Sequence, residues 1–165
     1  DLSKQATVQY AAPPLLSQAL RRGQVDALLT FWHFSARMRG EGGVQVAFSL
    51  DDLLRSLELD PHLPVLGYLF SESWAVEHEA LLQRFATALG QTKHELASEP
   101  AHWQALRPLM RADEDGVFAA LRDSFLAGIP QPLDERRIAD LQRLLILTGA
   151  DPAKLMPAAS FQSTP

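Results

Sequence analysis

The chain has 165 residues, of which 47% are hydrophobic and 21% are charged, and this composition is typical of a globular domain with an apolar core. Its formal net charge is −5, and the 15 Lys and Arg residues are scattered, so the basic surface of a nucleic-acid-binding protein is missing. Cysteine is absent, which excludes disulfides, thiol catalysis and zinc sites built on thiolates.

The first third of the sequence predicts short strands that alternate with helices. Residues 6–10 ("ATVQY") and 25–31 ("VDALLTF") have the composition of strands, and residues 44–49 ("VQVAFS") alternate like a third strand. A first helix is expected from Pro13 to Gly23, and a second from Trp32 to Arg39. Strands and helices that alternate at this spacing favour a largely parallel α/β sheet.

The remaining sequence predicts one more strand and then helices only. A helix capped by Ser49 and Asp52 leads to residues 65–70 ("VLGYLF"), the fourth predicted strand. From Ser73 onward, apolar residues recur at helical spacing in three stretches: 81–96, 117–125 and 138–145. Helices that follow one another without strands need an apolar surface to pack against. If the chain were a lone domain, these helices would have no obvious sheet of their own.

No motif in the sequence indicates catalysis or a cofactor. The 5 histidines never form an HExxH pattern, and no GxSxG, Walker or GxGxxG motif is present. The acidic runs 51–52 and 113–115 begin predicted helices, where the helix dipole favours carboxylates. We therefore expect no metal, no cofactor and no enzymatic activity.

The most conspicuous segment is residues 30–37, "TFWHFSAR", with three aromatic rings, a histidine and an arginine. It lies at the carboxyl end of a predicted strand, where open α/β sheets bind ligands. Core packing of the rings is an equally open interpretation. The segment "YAAPPLL" points to the same sheet edge, but Pro13 and Pro14 lack N–H groups and weaken an anion site there.

Two blocks of the sequence resemble a known family. "APPLLSQALRRGQVDALLTFWHFSARM" and "LGYLFSESWAVEHEALLQRFATALGQT" are similar to the periplasmic substrate-binding proteins of ABC importers, in the group for nitrate, sulfonates, taurine and thiamine precursors. The resemblance extends from about Thr7 to Gly128. It implies a periplasmic binding protein type II-like α/β fold with two lobes and a ligand cleft between them.

The resemblance also implies a division of the chain. Residues 1–64 would be a partial second lobe, described as about four strands with helices. Residues 65–150 would be the crossover strand and the C-terminal helices of the first lobe, and residues 151–165 a flexible tail. The N-terminal part of the first lobe would then lie outside this sequence, so the chain is expected to pair with that missing half or with another copy of itself.

The function implied by the resemblance is capture of a small molecule for a membrane permease, in the periplasm or on the outer face of the membrane. Flat or organic ligands are favoured over bare inorganic anions. No nucleic acid is involved. The implied ligand-binding residues are Tyr10, Ala11, Ala12, Trp32, His33, Gly67 and Tyr68.

The aromatic segment divides between site and core in this interpretation. Trp32 would stack against the ligand and His33 would exchange a hydrogen bond with it, whereas Phe31 and Phe34 would pack in the core and Arg37 would lie in solvent. Two alternatives remain open. One is an enzyme like the thiamine-precursor synthases, which would need reactive histidine or cysteine. The other is a non-ligand-binding interaction or scaffold protein.

Overall fold

The computed structural model describes residues 4–64 and 66–161, and this part of the chain is all-helical. Helices account for 61% of the residues, and no strand occurs among those described. Two short 3₁₀ turns, Pro152–Lys154 and Ala158–Ser160, follow the last helix. The α-helices in chain order are α1 Pro13–Arg21, α2 Trp32–Glu41, α3 Leu50–Ser56, α4 Glu72–Glu77, α5 Glu79–Ser98, α6 Pro100–Met110, α7 Asp115–Ala127 and α8 Glu135–Leu147.

The predicted α/β sheet, and with it the periplasmic binding protein type II-like fold, is wrong. The four segments predicted as strands lie in non-helical backbone, the first before α1 and the others between helices, apart from Val65, which is outside the described residues. Most of their side chains are exposed, among them Tyr10 by 92%, Leu29 by 87% and Leu66 by 87%. Strand propensity stabilises a segment only through packing against paired neighbours, and none of these segments has a strand partner among the described residues.

The predicted helix starts are confirmed. Prolines occupy the first positions of α1, and α2 begins at Trp32. At α3, the Ser49 hydroxyl accepts a hydrogen bond from the Asp52 N–H at 3.2 Å, and the Asp52 carboxylate accepts one from the Ser49 N–H at 2.9 Å. This reciprocal capping box lowers the pKa of Asp52, first through the backbone hydrogen bond from Ser49.

The described chain divides into two compact units. The first comprises residues up to 46 together with 105–127, and the second comprises 47–104 together with the residues from 128 onward. Each unit has its own buried residues. The domain boundaries implied by the resemblance, at residues 64 and 150, stay a prediction.

The first unit is built on contact between α2 and α7. A Cβ atom placed on Gly40 would lie 2.5 Å from the Cα atom of Val117 and 2.6 Å from the carbonyl oxygen of Gly116, so the two backbones touch. Trp32, at the other end of α2, contacts Phe125 near the end of α7, which makes the two helices antiparallel. The buried apolar residues of this unit are Ala36, Met38, Ala112, Val117, Phe118 and Leu121.

Two arginines make contacts near the end of α6 within the first unit. The Arg37 guanidinium donates to the carbonyl oxygens of Met110 at 2.7 Å and Arg111 at 2.9 Å. The Arg107 guanidinium lies 4.8 Å above the centroid of the Phe118 ring, which is a cation–π contact. The prediction that Arg37 lies in solvent is wrong, because the last carbonyls of a helix need donors and Arg37 supplies them.

The second unit has a small core of leucine side chains. Leu54, Leu59 and Leu63 are buried, and Leu57 and Leu144 pack against them. This cluster joins α3 and the turn after it to α8.

Asp60 links that turn to α8 through hydrogen bonds. Its carboxylate accepts from the His62 backbone N–H at 2.8 Å and from Arg137 Nε at 3.1 Å. Its own backbone N–H donates to the Asp140 carboxylate at 3.0 Å. The hydrogen bond from His62 and the charge of Arg137 lower the pKa of Asp60, against an opposing effect of burial.

Helix α5 matches the first predicted apolar stripe but buries none of its residues. Leu81 is 42% exposed and Phe85 is 40% exposed. Burial of an amphipathic face supplies most of a helix's stability in a protein, and the apolar stripe of α5 is only partly covered among the described residues.

The Gly40 contact predicts a specific loss of stability. We expect Gly40→Ala to destabilise the protein by about 1–3 kcal/mol, because the methyl group would meet backbone atoms that cannot move without separating α2 from α7. Gly67→Ala is the matched control, since no atom lies within 4 Å of a Cβ at that position. Urea unfolding followed by circular dichroism measures both. Equal midpoints for the two variants would contradict the backbone contact.

The Asp60 ion pair predicts a pH-dependent contribution to stability. Because its folded pKa is lowered from the ordinary 3.8, the stabilisation is complete above that value and is lost as the pH falls through the folded pKa. We therefore expect Asp60→Asn to be less stable than the unmodified protein at pH 6, with a difference that shrinks below about pH 4. Urea midpoints across this range test it, and a difference independent of pH would contradict it.

Candidate functional site

Four consecutive residues at the start of α2 form a group of rings, which we call the His33 cluster: Phe31, Trp32, His33 and Phe34. The centroid of the His33 ring lies 4.5 Å from Phe34, 5.5 Å from Trp32 and 6.1 Å from Phe31. Phe31 precedes the helix as its N-cap, and no side chain caps the helix. The uncapped first turn leaves backbone N–H groups that can donate to a ligand oxygen.

Packing against α7 holds one side of the cluster. The Trp32 and Phe125 rings meet edge to face at 6.3 Å between centroids, while Trp32 remains 49% exposed. Phe34 is half-buried. Phe31 is 63% exposed, so its predicted place in the core is wrong: the helix begins only after it, and its ring stacks on His33 at the surface.

A small open cavity of about 180 Å³ lies beside the cluster, between α1 and α2. Its two cations are already engaged, because Arg21 pairs with Glu41 at 2.6 Å and Arg37 donates to the end of α6. A full-sized ligand pocket has about 300–1,000 Å³, so this cavity suits a small ligand or part of one. Its lining residues are Pro14, Ser17, Gln18, Arg21, Phe34 and Arg37.

The other predicted site residues of the first unit precede α1. Tyr10 is exposed and its ring contacts no other aromatic ring in the described part of the chain, and Ala11 is exposed as well. Ala12 is the N-cap of α1 and offers no side-chain hydrogen bond. Pro13 and Pro14 occupy the first helical positions without N–H groups, so an anion site here is weak. A ligand contact by Tyr10, Ala11 or Ala12 stays a prediction.

Gly67 and Tyr68 belong to the second unit. The Tyr68 ring is 63% exposed and meets Phe85 of α5 edge to face at 5.0 Å, while the space around Gly67 is open. Their predicted contact with a ligand also stays a prediction. When the seven predicted site residues are compared with one another, Trp32 and His33 are the one pair whose rings are in direct contact.

A second group of rings was not predicted from the sequence. Phe70, Trp74 and His78 stack in parallel, with centroids 5.5 Å and 4.3 Å apart and interplanar angles of 13° and 11°. We call this group the aromatic column. The signal was present in the sequence, because the three residues recur at intervals of four across the start and end of α4, the spacing of one helix face.

Comparisons with known proteins add no family. Neither a family model nor a curated protein sequence matches the chain. Residues 4–64 and 66–161 contain no group of three or more histidines and carboxylates that could hold a metal ion. Within the same residues, no helix has the length and apolar character needed to cross a membrane.

Proposed function

We propose that the chain captures a small organic molecule at the His33 cluster, as the substrate-binding component of an ABC importer. The observation that carries the proposal is the state of Trp32, whose ring is held by Phe125 and His33 and is still 49% exposed. An indole ring that is fixed in place and uncovered offers a rigid face for a flat ligand at little entropic cost.

The polar groups around the cluster favour an organic ligand over a bare anion. Arg21 and Arg37 already have partners, so a free cation to balance an inorganic anion is not supplied by the cavity. His33 and the uncapped first turn of α2 can exchange hydrogen bonds with carbonyl or hydroxyl groups. A flat molecule with a few such groups suits this combination.

The importer assignment rests on the resemblance of the two sequence blocks, and the partner it implies is a membrane permease. The periplasm or the outer face of the membrane is the corresponding location. The proposal includes no catalytic residue. An enzyme like the thiamine-precursor synthases would need reactive histidine or cysteine, whereas the chain has no cysteine and His33 lies against the rings of Phe31, Trp32 and Phe34.

Trp32→Ala tests ligand capture. In a thermal-shift screen of sulfonates, pyrimidines and other small heterocycles, we expect at least one compound to stabilise the protein, by about 2.7 kcal/mol at a hundredfold excess over its Kd. Trp32→Ala should remove that shift and keep the helical circular dichroism spectrum. Phe48→Ala is the control, because Phe48 is likewise an exposed aromatic residue, by 63%, but lies outside the cluster. An equal ligand shift in Trp32→Ala would contradict the site, as would the absence of any ligand shift.

A second candidate function is protein interaction, and helix α5 favours it. The helix has 20 residues, none of them buried, and its apolar stripe is available to another copy or to the N-terminal half that the resemblance implies. This function does not exclude ligand capture by the first unit.

Self-association through α5 is directly measurable. We expect the protein to form dimers whose fraction rises with concentration in sedimentation velocity, and Leu81→Glu to shift it toward monomer by placing a charge in the apolar stripe. Gln91→Glu, on the exposed polar part of the same helix, should leave the dimer intact. A single monomeric species for all three proteins at every concentration would contradict the interaction.

A further inference from the structure

We propose that the aromatic column is a separate binding site for a planar organic cation, such as a heteroaromatic ring with a positively charged nitrogen. The column lies in the second unit and shares no residue with the His33 cluster. The inference therefore does not rest on the proposed function.

Local hydrogen bonds hold the column in place. His78 Nδ1 lies 2.9 Å from the carbonyl oxygen of Trp74. A carbonyl oxygen only accepts, so Nδ1 carries the hydrogen, and this bond keeps the imidazole ring parallel to the indole. At the start of α4, the Ser71 hydroxyl accepts from the Trp74 N–H at 3.4 Å. The backbone position of Trp74 and the plane of the His78 imidazole stacked on its indole are thus set within eight residues of chain.

The column is open to a further ring. Phe70 is 47% exposed and Trp74 is 37% exposed. Phe70 stacks on Trp74 with one face, and among the described residues no aromatic ring covers its other face. A flat ligand placed there extends a stack whose geometry is already formed, and offset parallel rings attract one another.

The charge around the column selects a cation. Glu77 follows Trp74 by three residues on α4, so the two side chains are neighbours on the helix surface. Glu72 is the first residue of α4 and Glu79 follows the helix, and no lysine or arginine occurs from Ser71 to Gln83. The π faces of Trp and Phe attract a cation directly, and nearby carboxylates add to that attraction.

The same charges oppose the obvious alternative occupants. Nucleic-acid bases also stack on exposed aromatic rings, but single-strand binding requires a positively charged groove for the phosphates. The segment from Ser71 to Gln83 has only acidic charges, and the whole chain has a net charge of −5. Phosphates and aromatic carboxylates are therefore repelled.

Three probes with the same ring isolate the effect of charge. Isothermal titration of the full chain with 1-methylnicotinamide, nicotinamide and nicotinate compares a cation, a neutral molecule and an anion. We expect saturable binding of 1-methylnicotinamide, about two- to fivefold tighter than nicotinamide, and the weakest binding for nicotinate. Equal affinities for the three probes, the tightest binding for nicotinate, or no saturable binding of any probe would overturn the proposal.

Variants assign the binding to the column. Trp74→Ala should weaken 1-methylnicotinamide binding about tenfold or more, as expected from loss of base-like stacking on an aromatic ring. Glu77→Gln should bring the affinities for the cation and for nicotinamide together while keeping the fold, because the side chain is exposed. If Trp74→Ala does not fold, Glu77→Gln decides alone.

Trp32→Ala separates this site from the proposed function. It should bind 1-methylnicotinamide as the unmodified protein does, and loss of that binding in Trp32→Ala would overturn the assignment to the column. Tighter binding of a short poly-dT oligonucleotide than of 1-methylnicotinamide would show a nucleic-acid surface instead and would also overturn the proposal.

Discussion

The contact of backbone against backbone at Gly40 and Gly116 is the constraint on which the first unit depends. With no side chain between them, α2 and α7 approach closely enough for Val117 and Phe118 to be buried. The same contact places the first turn of α2 beside Phe125, at the far end of the pair. The eight helical steps from Trp32 to Gly40 span about 12 Å, so the glycine contact at one end of α2 determines where the ring cluster lies at the other end.

Signals that act over a few residues predicted the helices well. The prolines at the start of α1 and the reciprocal bonds of Ser49 and Asp52 at α3 have the same effect in any surrounding. Strands require partners that no local pattern contains, and residues 25–31 show the consequence: a run of strand composition that is non-helical, unpaired and largely exposed in the structure. The α/β prediction failed for this reason.

The candidate site was predictable to the same degree. Trp32 and His33 are neighbours in sequence, so their contact needed no knowledge of the fold. Arg37 has acceptors 73 and 74 residues away, and no spacing rule connects it to the end of α6. Phe31 was assigned to the core from its place at the end of a predicted buried strand and from the resemblance, but its position before the first helical residue leaves it outside the packing of α2. The contacts and position that the fold gives to a side chain, rather than its residue type, decide whether it is buried or exposed.

The two groups of rings differ in how they are held, and this difference bears on what they can bind. The His33 cluster depends on tertiary packing against α7, so any change that separates α2 from α7 disturbs it. The aromatic column has local hydrogen bonds between Ser71 and His78, and its third ring, Phe70, directly precedes Ser71, the N-cap of α4. The arginines of the cavity beside the His33 cluster are paired, whereas the carboxylate of Glu77 beside the column has no ion-pair partner among the described residues. An uncharged ligand suits the first group and a cation the second, because an uncompensated charge near an aromatic face attracts only its opposite.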